Sequence, residues 1–98
     1  MSEHLTVIAY LTAKPGNEAE VRKHLMALVT PTCAEEGCIN YDLHEIHGDS
    51  TKFMFHENWE SADHLGAHAR SAHLEAFRKI ATDLLSKPIE ITLWRKIA

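Results

Sequence analysis

The residues most able to do chemistry in this sequence lie between Phe53 and Phe77, in the stretch FMFHENWESADHLGAHARSAHLEAF. Trp59 is followed there by His64, His68 and His73. Imidazole is the side chain whose ordinary pKa lies nearest neutrality, so such a cluster suits proton transfer or metal binding. His64 and His68 are four apart, which on a helix can bring two rings to one metal. The Glu of an H-E-x-x-H pattern is missing and no third ligand is evident, so no metal is expected. Glu57 precedes Trp59 by two residues and shares its strand face. It could orient a histidine or make a purely structural hydrogen bond. Trp59, at the inward end of a strand, suits a core position as well as a pocket wall.

The elements that must hold these groups follow from periodicity. Phe53, Phe55, Glu57 and Trp59 alternate with Met54, His56 and Asn58, which predicts a strand. Ser61 then predicts a helix N-cap, followed by Ala62, Leu65 and Ala69 at helical spacing. A second cap at Ser71 precedes Leu74, Phe77, Ile80, Ala81 and Leu84, so this helical half should bend near Arg70-Ser71. Upstream, Leu5, Val7, Ala9 and Leu11 alternate with Thr6, Ile8, Tyr10 and Thr12 in a first strand. Lys14-Pro15-Gly16-Asn17 is turn chemistry. Asn17 with Glu20 resembles a capping box opening a helix that carries Val21, Leu25, Leu28 and Val29. Pro31 should kink or restart that helix near Thr30, with Gly37 ending the segment.

Residues 38–47 alternate again, with Ile39, Tyr41 and Leu43 on one face and Asn40, Asp42 and His44 on the other. Gly48-Asp49-Ser50 predicts a hairpin to the next strand. After Lys87-Pro88, Ile89, Ile91 and Leu93 alternate with Glu90, Thr92 and Trp94 in a last strand. The expected fold class is α+β: a ferredoxin-like βαββαβ arrangement, with an antiparallel sheet and both helical segments on one face. The other sheet face would hold Ile8, Tyr10, Ile46, Met54 and Trp94, an apolar surface that a second copy of the chain would cover. A homodimer is therefore expected.

At 98 residues the chain is expected to form one domain, residues 1–98. The formal charge of −4 without a Lys/Arg cluster argues against nucleic acid. No apolar run approaches a membrane span, and the N-terminal residues lack signal-peptide character, so a cytoplasmic protein is the expectation. Cys33 and Cys38 match neither a redox CxxC nor a zinc pattern, and are read as reduced packing residues.

The segments Glu36-Gly37-Cys38-Ile39-Asn40-Tyr41, Glu57-Asn58-Trp59-Glu60-Ser61, His64-Leu65-Gly66-Ala67-His68 and Ser71-Ala72-His73, with Leu5–Ala9 and Lys14-Pro15-Gly16, resemble the antibiotic biosynthesis monooxygenase family. That resemblance implies a dimeric α/β barrel. Family members that oxygenate aromatic polyketides without a cofactor have a tryptophan matched by Trp59 and a strand-two histidine matched by His44. Their asparagine and tyrosine fall on Phe55 and Leu65. The haem-degrading triad falls on Ala9, His68 and Arg78, so haem breakdown is disfavoured. The small quinol-oxidising members and related signal-sugar isomerases are most similar in length and in the paired His68 and His73.

Oxygenation without metal or flavin needs an electron-rich substrate, a base with a near-neutral pKa, an apolar pocket and donors for the resulting anion. The expected function is cofactor-free monooxygenation of a small quinol or phenol by molecular oxygen, with no haem, flavin or metal. His68 or His44 is the expected base. Trp59, Phe53, Phe55, Glu57, Leu65 and His73 are the expected substrate-binding residues. The alternatives are a non-catalytic ligand-binding or stress-response dimer, or an isomerase of a small signalling molecule.

Overall fold

The structure is a computed structural model, and it describes residues 4–98. Strand β1 (Leu5–Thr12) leads through helix α1 (Glu18–Cys33) to β2 (Cys38–Glu45), β3 (Lys52–Trp59), α2 (Ala62–Ala69), α3 (Ala72–Leu84) and β4 (Glu90–Trp94). The strands form one antiparallel sheet in the order β2-β3-β1-β4. Alternation sends Val7, Ala9 and Leu11 of β1 and Phe53, Phe55 and Trp59 of β3 to one face, where they meet Val21, Leu25 and Leu28 of α1 and Phe77 of α3. This is the ferredoxin-like α+β arrangement expected from the sequence.

Three local expectations are corrected. Helix α1 does not restart at Thr30: it runs unbroken through Pro31 to Cys33. Proline forfeits one backbone donor in what is nearly the last turn, and continuation buries Thr32 completely. Asn17 is the N-cap residue but makes no capping bond. Its amide instead reaches the Asp83 carbonyl at 3.4 Å, and the Glu18 carboxylate accepts from the Gly16 amide at 3.0 Å. In β2 a bulge between Cys38 and Asn40 breaks the alternation. Cys38 pairs with Trp59 and packs against the core, leaving Ile39 exposed rather than aligned with Tyr41.

The caps at Ser61 and Ser71 form as expected. Each hydroxyl accepts from the amide three residues on, His64 at 3.3 Å and Leu74 at 3.4 Å, and the helical half divides between α2 and α3. The helix-free face carries Ile8, Tyr10, Met54 and Trp94 in register, around a polar ladder from Thr6 to Asn58 to Asn40. Tyr10 and Trp94 are exposed by 49% and 57%. Strand β4 is exposed along its whole length, including Ile91 and Leu93 on the helix side of the sheet.

Candidate active site

Strand β3 brings Phe55, Glu57 and Trp59 inward, and the last turn of α2 places His68 over them. His68 is only 4% exposed. Its ring stacks on the Trp59 indole at 4.7 Å between centroids and meets Tyr41 edge-on at 5.4 Å. Tyr41 stacks in turn on Phe55 at 4.3 Å. A lone imidazole in such surroundings would be costly unless its polar atoms were engaged.

Glu35, in the loop after α1, engages it. One carboxylate oxygen, Oε2, lies 2.7 Å from His68 Nδ1 and 2.9 Å from His73 Nε2. Thr32 Oγ1 and Ser71 Oγ hold the same His73 nitrogen at 3.1 and 3.3 Å. An ionised carboxylate only accepts hydrogen bonds, so the His68 proton belongs on Nδ1. Nε2 then carries the lone pair. It has no partner among the described residues and is not sealed from solvent, and His68 lines a cavity. Burial is the largest influence on the His68 pKa and pushes it below the usual histidine value, with the Glu35 hydrogen bond opposing. The ring is a neutral base at pH 7.

Glu57 is the second ionisable group against this space, 4% exposed and opposite Tyr41 on β2 and Val7 on β1. The Trp59 Nε1–H donates to its Oε1 at 2.9 Å. Burial raises its pKa from 4.5 to about 7; the Trp59 bond works against that rise, and the charge of Glu35 adds to it. Burial also lifts Tyr41 well above the ordinary phenol range, so it stays protonated.

The cavity measures about 120 Å3 and is lined by Tyr41, Phe55, Glu57, Leu65, His68, Phe77, Arg78 and, at the rim, Ile89 and Ile91. It is apolar apart from a carboxyl, an imidazole, a phenol and a guanidinium. A space near 150 Å3 takes a single benzene ring, so one small aromatic ring is the scale of guest it suits.

Four expected residues, Phe55, Glu57, Leu65 and His68, line this cavity. Trp59 lies behind His68, fully buried, as its stacking platform. His73 joins the site through Glu35. Phe53 shares the sheet face but lines a separate surface groove of about 530 Å3 beside α1. His44 is exposed and lines that same groove; its Nδ1 lies 3.2 Å from the Asp42 carbonyl, and the structure does not bring it to His68. His64 bonds its own cap, Ser61, at 2.7 Å and does not pair with His68. Glu35, His68 and His73 do offer three ligand atoms within 4.8 Å of one another. The separations of 2.7 and 2.9 Å are those of shared protons, and a cation could enter only by displacing them.

Sequence reading missed Glu35, Thr32 and Arg78. Glu35 sits among the turn residues of Glu35-Glu36-Gly37, and nothing in periodicity marks a loop carboxylate that meets two histidines far along the chain. Tyr41 was legible as inward-facing, but its contact with His68 was not.

The fold and buried site together define a small ferredoxin-like α+β protein with a histidine-containing pocket between sheet and helices. Residues 4–80 match the family described as antibiotic biosynthesis monooxygenase, and the chain belongs to it. Rv0793 of Mycobacterium tuberculosis is 33% identical over 93 residues, covering 95% of this chain and 91% of the relative. The Escherichia coli K12 protein named "Probable quinol monooxygenase YgiN" is 30% identical, covering 89% of this chain and 94% of its own. Among solved structures, PA3566 from Pseudomonas aeruginosa is 37% identical and superposes with a TM-score of 0.95, covering 100% of this chain and 98% of that one.

Proposed function

We propose that the protein is a cofactor-independent monooxygenase that oxidises a small quinol or phenol with molecular oxygen, and that it works as a homodimer. The observation that carries this reading is His68: a buried, neutral imidazole on an indole platform, lining an apolar cavity, with one nitrogen fixed by Glu35 and the other free. Nε2 removes the phenolic proton. Glu35 stabilises the imidazolium through Nδ1 and shares that task with His73. The phenolate is electron-rich enough to pass an electron to oxygen, which the apolar walls Phe55, Leu65 and Phe77 admit. For a phenol with a free para carbon, one oxygen atom enters the ring and the other leaves as water, giving the quinone.

Phe55 and Leu65 stand where the polyketide-oxidising members have asparagine and tyrosine. The anion holder must therefore be sought elsewhere on the cavity wall, and this departure is also what favours a second reading, a binding protein that kept the fold without the chemistry. Oxygen uptake against naphthohydroquinones and α-naphthol, with autoxidation subtracted, separates the two. His68→Ala should lower the enzymatic rate by roughly 100-fold or more, the usual size of a general-base contribution, and leave His44→Ala near wild type. Equal rates for wild type and His68→Ala would mean that only background chemistry is present, and the binding reading would stand.

A further inference from the structure

We propose that Glu57 is a catalytic acid, the group that delivers the proton on which cleavage of the oxygen–oxygen bond depends. This rests on the oxygenase reading above. Glu57 lies toward the end of β3 with an aromatic residue opposite on one neighbouring strand and an aliphatic one on the other, Tyr41 and Val7. No cation pairs with it among the described residues. Only one of its oxygens is engaged, Oε1 by the Trp59 indole. Oε2 has no donor among the described residues and is not sealed from solvent, and Glu57 lines the cavity.

Burying a carboxyl in an apolar layer is costly, and accepting one indole N–H does not require it. Glutamine has the same length and accepts the same bond without the charge. What glutamine lacks is an acidic proton. Glu57 and His68 lie on the same cavity, with Trp59 bonded to the first and stacked on the second. The other ionisable groups acting on this space are Tyr41 from β2, Glu35 from the loop after α1 and Arg78 from α3. Strand β1 presents only Val7, Ala9 and Leu11 there. With its pKa raised to about 7, the carboxyl is substantially protonated at neutral pH.

The step balances as follows. After His68 has taken the phenolic proton, one electron passes to oxygen and the two radicals combine, forming a carbon–oxygen bond at the para carbon. The imidazolium returns its proton to the distal oxygen, giving a neutral hydroperoxide. His68 Nε2 then removes the hydrogen on that carbon. The freed electron pair forms the second carbonyl, the oxygen–oxygen bond breaks, and the departing hydroxide takes the Glu57 proton to leave as water. The imidazolium restores the proton to Glu57. One phenol and one oxygen molecule become one quinone and one water.

The test compares wild type, Glu57→Gln and His68→Ala with α-naphthol, measuring oxygen consumed, quinone formed and organic hydroperoxide accumulated. Glu57→Gln should form quinone roughly 100-fold more slowly, while still consuming oxygen, with the para-hydroperoxide accumulating in its place. His68→Ala should lose oxygen uptake itself. Wild-type quinone formation should decline above about pH 7, where Glu57 gives up its proton, and Glu57→Gln should lack that alkaline limb. Trp59→Phe removes the bond that lowers the Glu57 pKa, so it should move the limb to higher pH. Should Glu57→Gln fail to fold, Glu57→Asp keeps the acid and should keep the limb. Infrared spectra of the resting wild type at about pH 6 should contain a buried protonated-carboxyl stretch whose loss follows the same limb. Wild-type coupling and an intact alkaline limb in Glu57→Gln would overturn the acid role. Absence of any wild-type uptake above autoxidation would instead overturn the oxygenase reading on which it rests.

Discussion

Glu57 and His68 share one cavity and are pushed in opposite directions by the same cause. Removal from water disfavours charge, so it raises the carboxyl and lowers the imidazole, favouring the neutral form of each. The consequence for stability has a definite sign. A carboxyl whose folded pKa lies above its unfolded value binds protons more tightly in the folded state, so its contribution is full at low pH and is lost as pH rises from 4.5 through about 7. Replacing Glu57 with glutamine should therefore stabilise the protein relative to wild type by an amount that grows by on the order of 2 kcal/mol between about pH 5 and pH 8. Urea titrations at the two pH values measure it, and a pH-independent difference would contradict burial as the cause. His68 works the other way: its lowered pKa means stability is lost as pH falls below the ordinary histidine value of 6.5. The same lowering should place the acid limb of activity below that value, read from kcat/KM against pH. At this scale the sequence was informative about types and poor about partners. His68, Trp59 and Glu57 stood out by kind and by strand face, but Glu35 became visible only once the chain had folded the loop after α1 against two helices.

At the scale of elements, the strands were legible because a two-residue period leaves little choice of face, and the caps at Ser61 and Ser71 because hydroxyls there satisfy amides that helices cannot. The failures were places where tertiary contacts override local preference. Helix α1 passes Pro31 because Thr32 must reach His73, and the start of β2 bulges where Cys38 meets Trp59. Gly37 shows a related demand. Its φ of +83° is a left-handed conformation, and a Cβ there would lie 2.2 Å from Cγ of His64. Gly37→Ala should cost on the order of 1–3 kcal/mol. A double variant with His64→Ala should recover only a fraction, because the backbone strain stays and alanine keeps the Cβ of residue 64, 2.5 Å from the new methyl. Chemical denaturation of the three variants decides the division, and full recovery would show the dihedral to be harmless.

At the scale of the whole molecule, the two sides of the sheet are unequal. One is covered by three helices, and the other leaves Tyr10 and Trp94 half in water around a polar ladder. A permanent self-association that covers this face should bury on the order of 2,000 Å2 or more. Light scattering is expected to give twice the chain mass of 11.1 kDa. Trp94→Asp, directed at the exposed face and away from the cavity, should shift the protein toward single chains. A folded wild-type monomer at micromolar concentration would remove the dimer from the proposal. The wider sheet topology could be read in advance because each strand had its own alternation. The uncovered helix side of β4 could not, since Ile91 and Leu93 carry the same pattern as a strand packed under a helix.

That bare strand also bears on motion. Within the sheet β4 pairs only with β1, and its Ile91, with Ile89 just before the strand, lines the cavity beside His68. With no helix to press it down, it is the cheapest part of the sheet to lift, and lifting it would widen a space otherwise suited to a single ring. Its amides should exchange with deuterium well before those of β1, and a tightly held aromatic guest should slow them. Guest admission would then be timed by the fraying of one strand, and anything that clamps that strand would set how long the guest stays.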